Sequence, residues 1–186
     1  SLLKELDRGR SVFLIMLDLS AAFDTVSHER LLHILDSRFG LKSKALSLIQ
    51  SYLSDRVSSV KVRSTLSSVR RTNVGVPQGS ILGPVFFNCL MSQLPSLLSI
   101  IGISSHIYAD DTQFWVSFLP ENEDVARRQV QRAFTIVTKF MLDNSLQLNP
   151  NKTQFLPISR STESFEPLDL GDGTIISLSS HVKNLG

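Results

Sequence analysis

The sequence holds a single cysteine, Cys89, so no disulfide can form within the chain and no zinc site can rest on cysteine pairs. That usage suits a reducing compartment. Its four histidines, His28, His33, His106 and His181, are scattered without the short spacings that hold a metal. No basic stretch leads into an apolar core near Ser1, so no signal peptide is expected. Charge of one sign is also scarce. The formal net charge is only +2, which by itself points only weakly to a nucleic-acid partner. From Thr72 to Ala109 there is no Asp, Glu, Lys or Arg. Pro77, Pro84 and Pro95, with Gln78, Asn88 and Gln93, interrupt that stretch, and a spanning helix needs about 20 mainly apolar residues. Burial in a core is therefore expected, with no membrane partner. Repeats and low-complexity tracts are absent.

What is present is ordinary for a globular chain: 42% hydrophobic and 19% charged residues, with eleven Phe to fill one sizeable core. The chain starts at Ser1 rather than Met and stops at Gly186, and both ends read as cuts. Val12 to Leu17 is an unbroken apolar run, the mark of a strand buried on both faces, and it ends at Asp18. Ser27 is a candidate N-cap for a helix through Leu31, Ile34, Leu35 and Phe39, stopped at Gly40. A second helix is expected over residues 43–53. Alternation of Val60 and Val62 with Lys61 and Arg63, and of Val69 and Val74 around Arg70 and Arg71, predicts a basic hairpin over residues 56–74. A turn-rich stretch, 75–83, precedes a helix over 85–94 entered through Pro84. Residues 103–108 and 112–118 predict a second hairpin tipped by acids. Residues 125–144 form an amphipathic helix with Arg127, Arg128 and Arg132 on its solvated face. Short strands follow near 154–158, 174–178 and 182–185, and residues 159–172 are expected to form an exposed loop.

Three acids carry the chemistry. Burying an unpaired carboxylate costs several kcal/mol, so Asp18 at the end of an apolar strand asks for a partner or a function. Capping the next turn is its plainer reading. Asp110 and Asp111 repel each other at a hairpin tip, where Asp-Gly or Asn-Gly would be the usual turn pair. A buried strand ending in Asp and a hairpin tipped with Asp-Asp can lie side by side in one sheet. Hard oxygen ligands of that kind suit Mg²⁺, completed by substrate phosphates. Two such ions about 3.5–4 Å apart can hold the attacking and leaving oxygens of an in-line displacement.

Asp18-Leu-Ser-Ala-Ala-Phe-Asp24, Gly75-Val-Pro-Gln-Gly-Ser-Ile-Leu-Gly-Pro84 and Tyr108-Ala-Asp-Asp111 resemble, in order, motifs A, B and C of reverse transcriptases, most closely those of non-LTR (LINE-type) retrotransposons. Leu146-Gln-Leu-Asn-Pro-Asn-Lys-Thr153 and Val182-Lys-Asn-Leu-Gly186 are similar, more weakly, to motif D and the start of motif E, the primer grip. The resemblance implies an α+β right-hand polymerase palm, an antiparallel sheet backed by helices, over residues 1–186. It would carry part of the fingers, including an insertion at about 41–74, and no thumb. It implies RNA-directed DNA synthesis from an RNA template, a DNA primer and dNTPs, with two Mg²⁺ ions, or Mn²⁺, on Asp18, Asp110, Asp111 and the carbonyl of Leu19.

Phe23 would sit beneath the incoming sugar and exclude a 2′-hydroxyl; a core anchor is the alternative. Gln78 and Gly79 would face the nucleotide or template, and Tyr108 the primer end. Lys152 would protonate the leaving pyrophosphate. Arg56, Lys61, Arg63, Arg70 and Arg71 would track a phosphate backbone, and Leu185 and Gly186 would begin the primer grip. Solvated charges and an ordinary loop amide remain the alternatives for these positions. Asp24 matches the motif without a chemical role. Absent upstream fingers, thumb and any endonuclease are expected to leave the isolated chain poorly active. A retroelement ribonucleoprotein would act in nucleus and cytoplasm. A viral RNA-directed RNA polymerase shares the metal chemistry, but Tyr108, Ala109 and Phe23 favour reverse transcription over it. Group II intron and telomerase relatives are closer rivals. An inactive retroelement remnant with a structural or nucleic-acid-binding role is the non-enzymatic alternative.

Overall fold

The computed structural model describes residues 2–160 and 164–179. A short helix α1 (Leu2–Asp7) leads into β1 (Ser11–Leu17), which is buried along its length apart from Met16. The two-residue β2 (Leu19–Ser20) follows, then α2 (His28–Ser37), whose N-cap Ser27 accepts the Arg30 N–H at 3.3 Å. Next come α3 (Ser43–Leu53) and a nested hairpin of β3 (Val57–Ser58), β4 (Lys61–Val62), β5 (Thr65–Leu66) and β6 (Arg70–Arg71). Helices α4 (Leu82–Met91) and α5 (Leu94–Ile100) precede the acidic hairpin, β7 (Ser104–Tyr108) and β8 (Asp111–Phe118). The long α6 (Glu123–Asp143) is followed by β9 (Gln147–Leu148), β10 (Gln154–Ile158), β11 (Leu168–Asp169) and β12 (Ile175–Ile176).

The central sheet has the order β10-β1-β8-β7, antiparallel throughout. On β8, Thr112, Phe114, Val116 and Phe118 are buried while Asp111, Gln113, Trp115 and Ser117 are half-buried. One face is therefore sealed by helices and the other is more open. The stripe Ala126, Val130, Ala133, Phe134, Val137, Phe140 and Met141 lays α6 on the sealed face, with Phe134 edge-on to Phe114 at 5.5 Å. Phe13 meets Phe118 and Phe155 at 4.3 and 5.1 Å in the same core.

Several expectations need correction. Phe39 is 45% exposed, because α2 ends at Ser37 and the chain loses helical phase before reaching it. The helix expected over 85–94 is two helices. The first starts early, where the Ser80 hydroxyl accepts the Gly83 N–H, and Pro95 sits in the first turn of the second. The segment expected as an exposed loop, 159–172, is largely exposed where described, but Phe165, Leu168 and Leu170 pack inward. Phe165 stands edge-on to Phe13 at 5.7 Å, and buried Leu168 pairs with Ile176. Arg127 is correspondingly not a solvated charge. Its guanidinium bonds Glu123 and the Pro167 and Glu166 carbonyls, and lies 5.4 Å over the Phe13 ring. Arg128 and Arg132 are exposed as expected. The strand expected at 174–178 is shorter, a ladder at Ile175–Ile176 with one parallel bridge from Leu178 to Phe155.

Candidate active site

Because β8 is antiparallel to both neighbours, β1 and β7 run the same way and end at one edge of the sheet. The last ladder pair of β1 and β8 is Leu17 with Thr112, so one step on Asp18 stands opposite Asp111. Across β8, Asp111 pairs with Tyr108, and Ala109 and Asp110 form the two-residue turn. Tyr108, Asp111 and Asp18 thus make one cross-strand row with Asp110 at its rim. Burial, the largest cause, and the charges of Asp110 and Asp18 push the Asp111 carboxyl above its ordinary value of 3.8. Asp111 therefore lies within electrostatic reach of both other acids. Among the described residues no three His, Cys, Asp or Glu side chains already surround an ion-sized space. The donor set nonetheless fits a hard divalent cation: oxygen ligands only, with concentrated negative charge.

Leu19 buries its side chain and pairs with Leu148 across the short β2–β9 ladder, so only its backbone is left to serve a ligand. The Asn149 N–H, just beyond β9, donates to the Asp18 carbonyl at 2.9 Å. That ladder ties the turn bearing Lys152 to the end of β1. Lys152 is exposed and shares a cleft of about 580 Å³ with Asp18, walled by residues 150–154 and 175–179.

Phe23 is half-buried with its ring 5.0 Å from Phe87, so it is anchored in the core at the margin of the site. The turn after β2 is stitched to the stretch before α4. The Phe23 carbonyl accepts the Val76 N–H at 2.8 Å, the Val26 carbonyl accepts the Gly75 N–H at 2.7 Å, and the His28 ring lies 2.7 Å from the Gly75 carbonyl. Gly75 is obligatory there: its φ is +87°, and a Cβ would stand 2.9 Å from the Asp24 carbonyl. Exposed Gln78 donates its amide to Asp24 at 3.1 Å, which supplies the partner that sequence reading left blank for Asp24. Gly79, at φ +78°, has open space around it.

Tyr108, the last residue of β7, is 70% exposed beside the acids. Lys61, Arg63, Arg70 and Arg71 are exposed on the nested hairpin, Arg71 lying 3.9 Å from Asp55. Arg56 differs: it bonds the Tyr52 carbonyl and stacks 4.6 Å over that ring. Leu185 and Gly186, with the strand expected at 182–185, lie outside the described residues. Sequence reading missed Asn88, whose side-chain oxygen accepts the Ala109 N–H at 3.0 Å. The one available signal was an Asn, a poor helix former, inside an apolar helix.

The family described as reverse transcriptase (RNA-dependent DNA polymerase) matches residues 3–186. The chain belongs to the reverse transcriptase family. Its relatives include the probable RNA-directed DNA polymerase from transposon BS of Drosophila melanogaster, 31% identical over 92% of the chain and 19% of that protein. Another is the RNA-directed DNA polymerase from mobile element jockey of Drosophila funebris, 35% identical over 51% of the chain and 11% of that protein. A third is the Pol polyprotein of the type-1 retrotransposable element R2 of Popillia japonica, 26% identical over 78% and 24%. The chain spans at most about a quarter of the length of these relatives. Among solved structures, telomerase from Candida albicans, in complex with a fragment of telomeric RNA, superposes with a TM-score of 0.63 at 15% identity, over 98% of the chain and 34% of that chain. Apo telomerase from Candida tropicalis, in the form truncated of its C-terminal domain, gives 0.60 at 16% identity, over 87% of the chain and 34% of that chain. This likeness shows an α+β fold of the reverse transcriptase palm type.

Proposed function

We propose that this reverse transcriptase chain is the catalytic palm of a LINE-type retrotransposon polymerase, and that it extends a DNA primer on an RNA template with dNTPs. The observation that carries the reading is the register of β1 against β8, which brings Asp18 opposite Asp111, the neighbour of Asp110 in the turn. Asp18, Asp110, Asp111 and the Leu19 backbone would hold two Mg²⁺ ions, with Mn²⁺ able to substitute. When bound, such ions acidify the primer 3′-hydroxyl and neutralise charge on the triphosphate.

The remaining roles belong to the chain itself. Phe23, braced by Phe87, would present its ring edge where a ribose 2′-hydroxyl would sit. Asp24 accepts from the Gln78 amide nitrogen and so leaves the Gln78 oxygen to face the nucleotide or template. Open space above Gly79 would let substrate approach the backbone. Tyr108 would pack against the primer end. Lys152, in the cleft of Asp18, would deliver a proton to the departing pyrophosphate. The exposed cations of the nested hairpin, within a finger-like insertion at about 41–74, would follow the phosphate backbone.

Primer extension by the polypeptide that carries this chain tests the reading. Incorporation of dNTPs on an RNA template, abolished by Asp110→Asn, is expected. Phe23→Ala should admit NTPs with dNTP incorporation retained. Metal-dependent extension that survives Asp110→Asn would sink the assignment.

A further inference from the structure

Asn88 sits mid-way along α4 at an exposed position, where Asn is a poor helix former. Its side chain nonetheless bridges to another element, accepting the Ala109 N–H. Ala109 is the first residue of the turn between paired Tyr108 and Asp111, and its φ is +54°. A residue with a Cβ is crowded in that region, and such a conformation persists only where surrounding contacts hold it. The bond joins the helix that follows the Gly75–Pro84 stretch to the acidic tip, across two separate elements.

We propose that Asn88 is a positioning residue for the acidic turn: by holding the Ala109 amide it fixes the direction in which Asp110 and Asp111 present their carboxylates to a divalent cation. The inference rests on the polymerase reading, and its test separates the two.

Mn²⁺ titration of the chain, followed by the loss of the free-ion resonance signal, reports binding without any turnover; Mn²⁺ accepts the same oxygen ligands as Mg²⁺. Five forms are compared: unchanged, Asn88→Ala, Ala109→Gly, the double variant and Asp110→Asn. Ala is the best helix former, so Asn88→Ala leaves α4 intact, which a melting curve of the metal-free chain verifies. Asn88→Ala is expected to weaken Mn²⁺ binding about tenfold, the scale set by partners that orient metal ligands. With Gly at position 109 a positive φ carries no penalty, so the same substitution should cost about twofold or less. A weakening that is merely structural would not be relieved by that glycine. Equal losses in both backgrounds overturn the proposal. So does an unchanged affinity in Asn88→Ala while Asp110→Asn abolishes binding, a result that leaves the polymerase reading standing. No Mn²⁺ binding by the unchanged chain overturns both.

Discussion

Asp111 carries a cost that the metal-free fold must bear. Its carboxyl is held above the ordinary value by burial and by Asp110 and Asp18, so between the ordinary and raised values the folded state binds more protons than the unfolded one. The Asp111 contribution to stability is therefore fully present below the ordinary carboxylate value and is lost as pH rises through the raised one. At neutral pH, Asp111→Asn should stabilise the metal-free chain and raise its melting point, by less than about 1 kcal/mol in free energy because solvent screens the site. Saturating Mg²⁺ should reverse the order, since only the unchanged site gains about 2.7 kcal/mol at a hundredfold excess over Kd. Melting both proteins at two pH values, with and without Mg²⁺, checks sign and reversal together. The two glycines before α4 make a second residue-scale contrast. Gly75→Ala meets both a positive φ and the Asp24 backbone, whereas Gly79→Ala meets only the φ. Gly79→Ala should cost about 1 kcal/mol and Gly75→Ala clearly more than about 2, read as denaturant midpoints at constant slope. Comparable losses would show that the stitch between Asp24 and Gly75 yields easily.

At the scale of elements, the nested hairpin stands apart from the rest. Residues 57–71 are exposed throughout, including Val57, Val60, Val62, Leu66 and Val69. Two ladders of two residue pairs each hold it together, so its charges contribute little to the core. Arg70→Ser with Arg71→Ser should leave the melting point within about 2 °C, because surface substitutions are usually within ±0.5 kcal/mol. The same pair should weaken template–primer binding and flatten its salt dependence by about 0.9 per lost phosphate contact. An unchanged slope would assign these arginines to solvent. Most elements were legible before the fold was known. The apolar run of β1, the acid-tipped hairpin and the α6 stripe announced themselves because each pattern reports burial directly. The β2–β9 ladder was not legible: two residues have no periodicity, and their partners are distant in the chain.

For the whole molecule, the described segment after β10 acts as a strap. Arg127 fastens it, bonding two of its carbonyls while covering Phe13. Arg127→Ala removes these bonds together with aliphatic packing. It should cost about 2 kcal/mol, or 4–8 °C for a chain of this size, while metal affinity stays unchanged. A melting curve paired with Mn²⁺ titration checks this, and a loss of metal affinity would tie the strap to the active edge.

The sequence alone determined the family and which acids are the candidates for its chemistry, because three ordered motifs carry them and their spacing whatever the chain does between them. It determined the strong helices and strands for a similar reason: burial on one or two faces leaves a local period. Only the tertiary structure decided which groups meet. Asp18 faces Asp111 through strand register, Asp24 holds Gln78 across a turn, and Asn88 reaches Ala109 from a helix. Hydrogen bonds between distant segments depend on how the layers stack, and no local pattern of residue types encodes that distance.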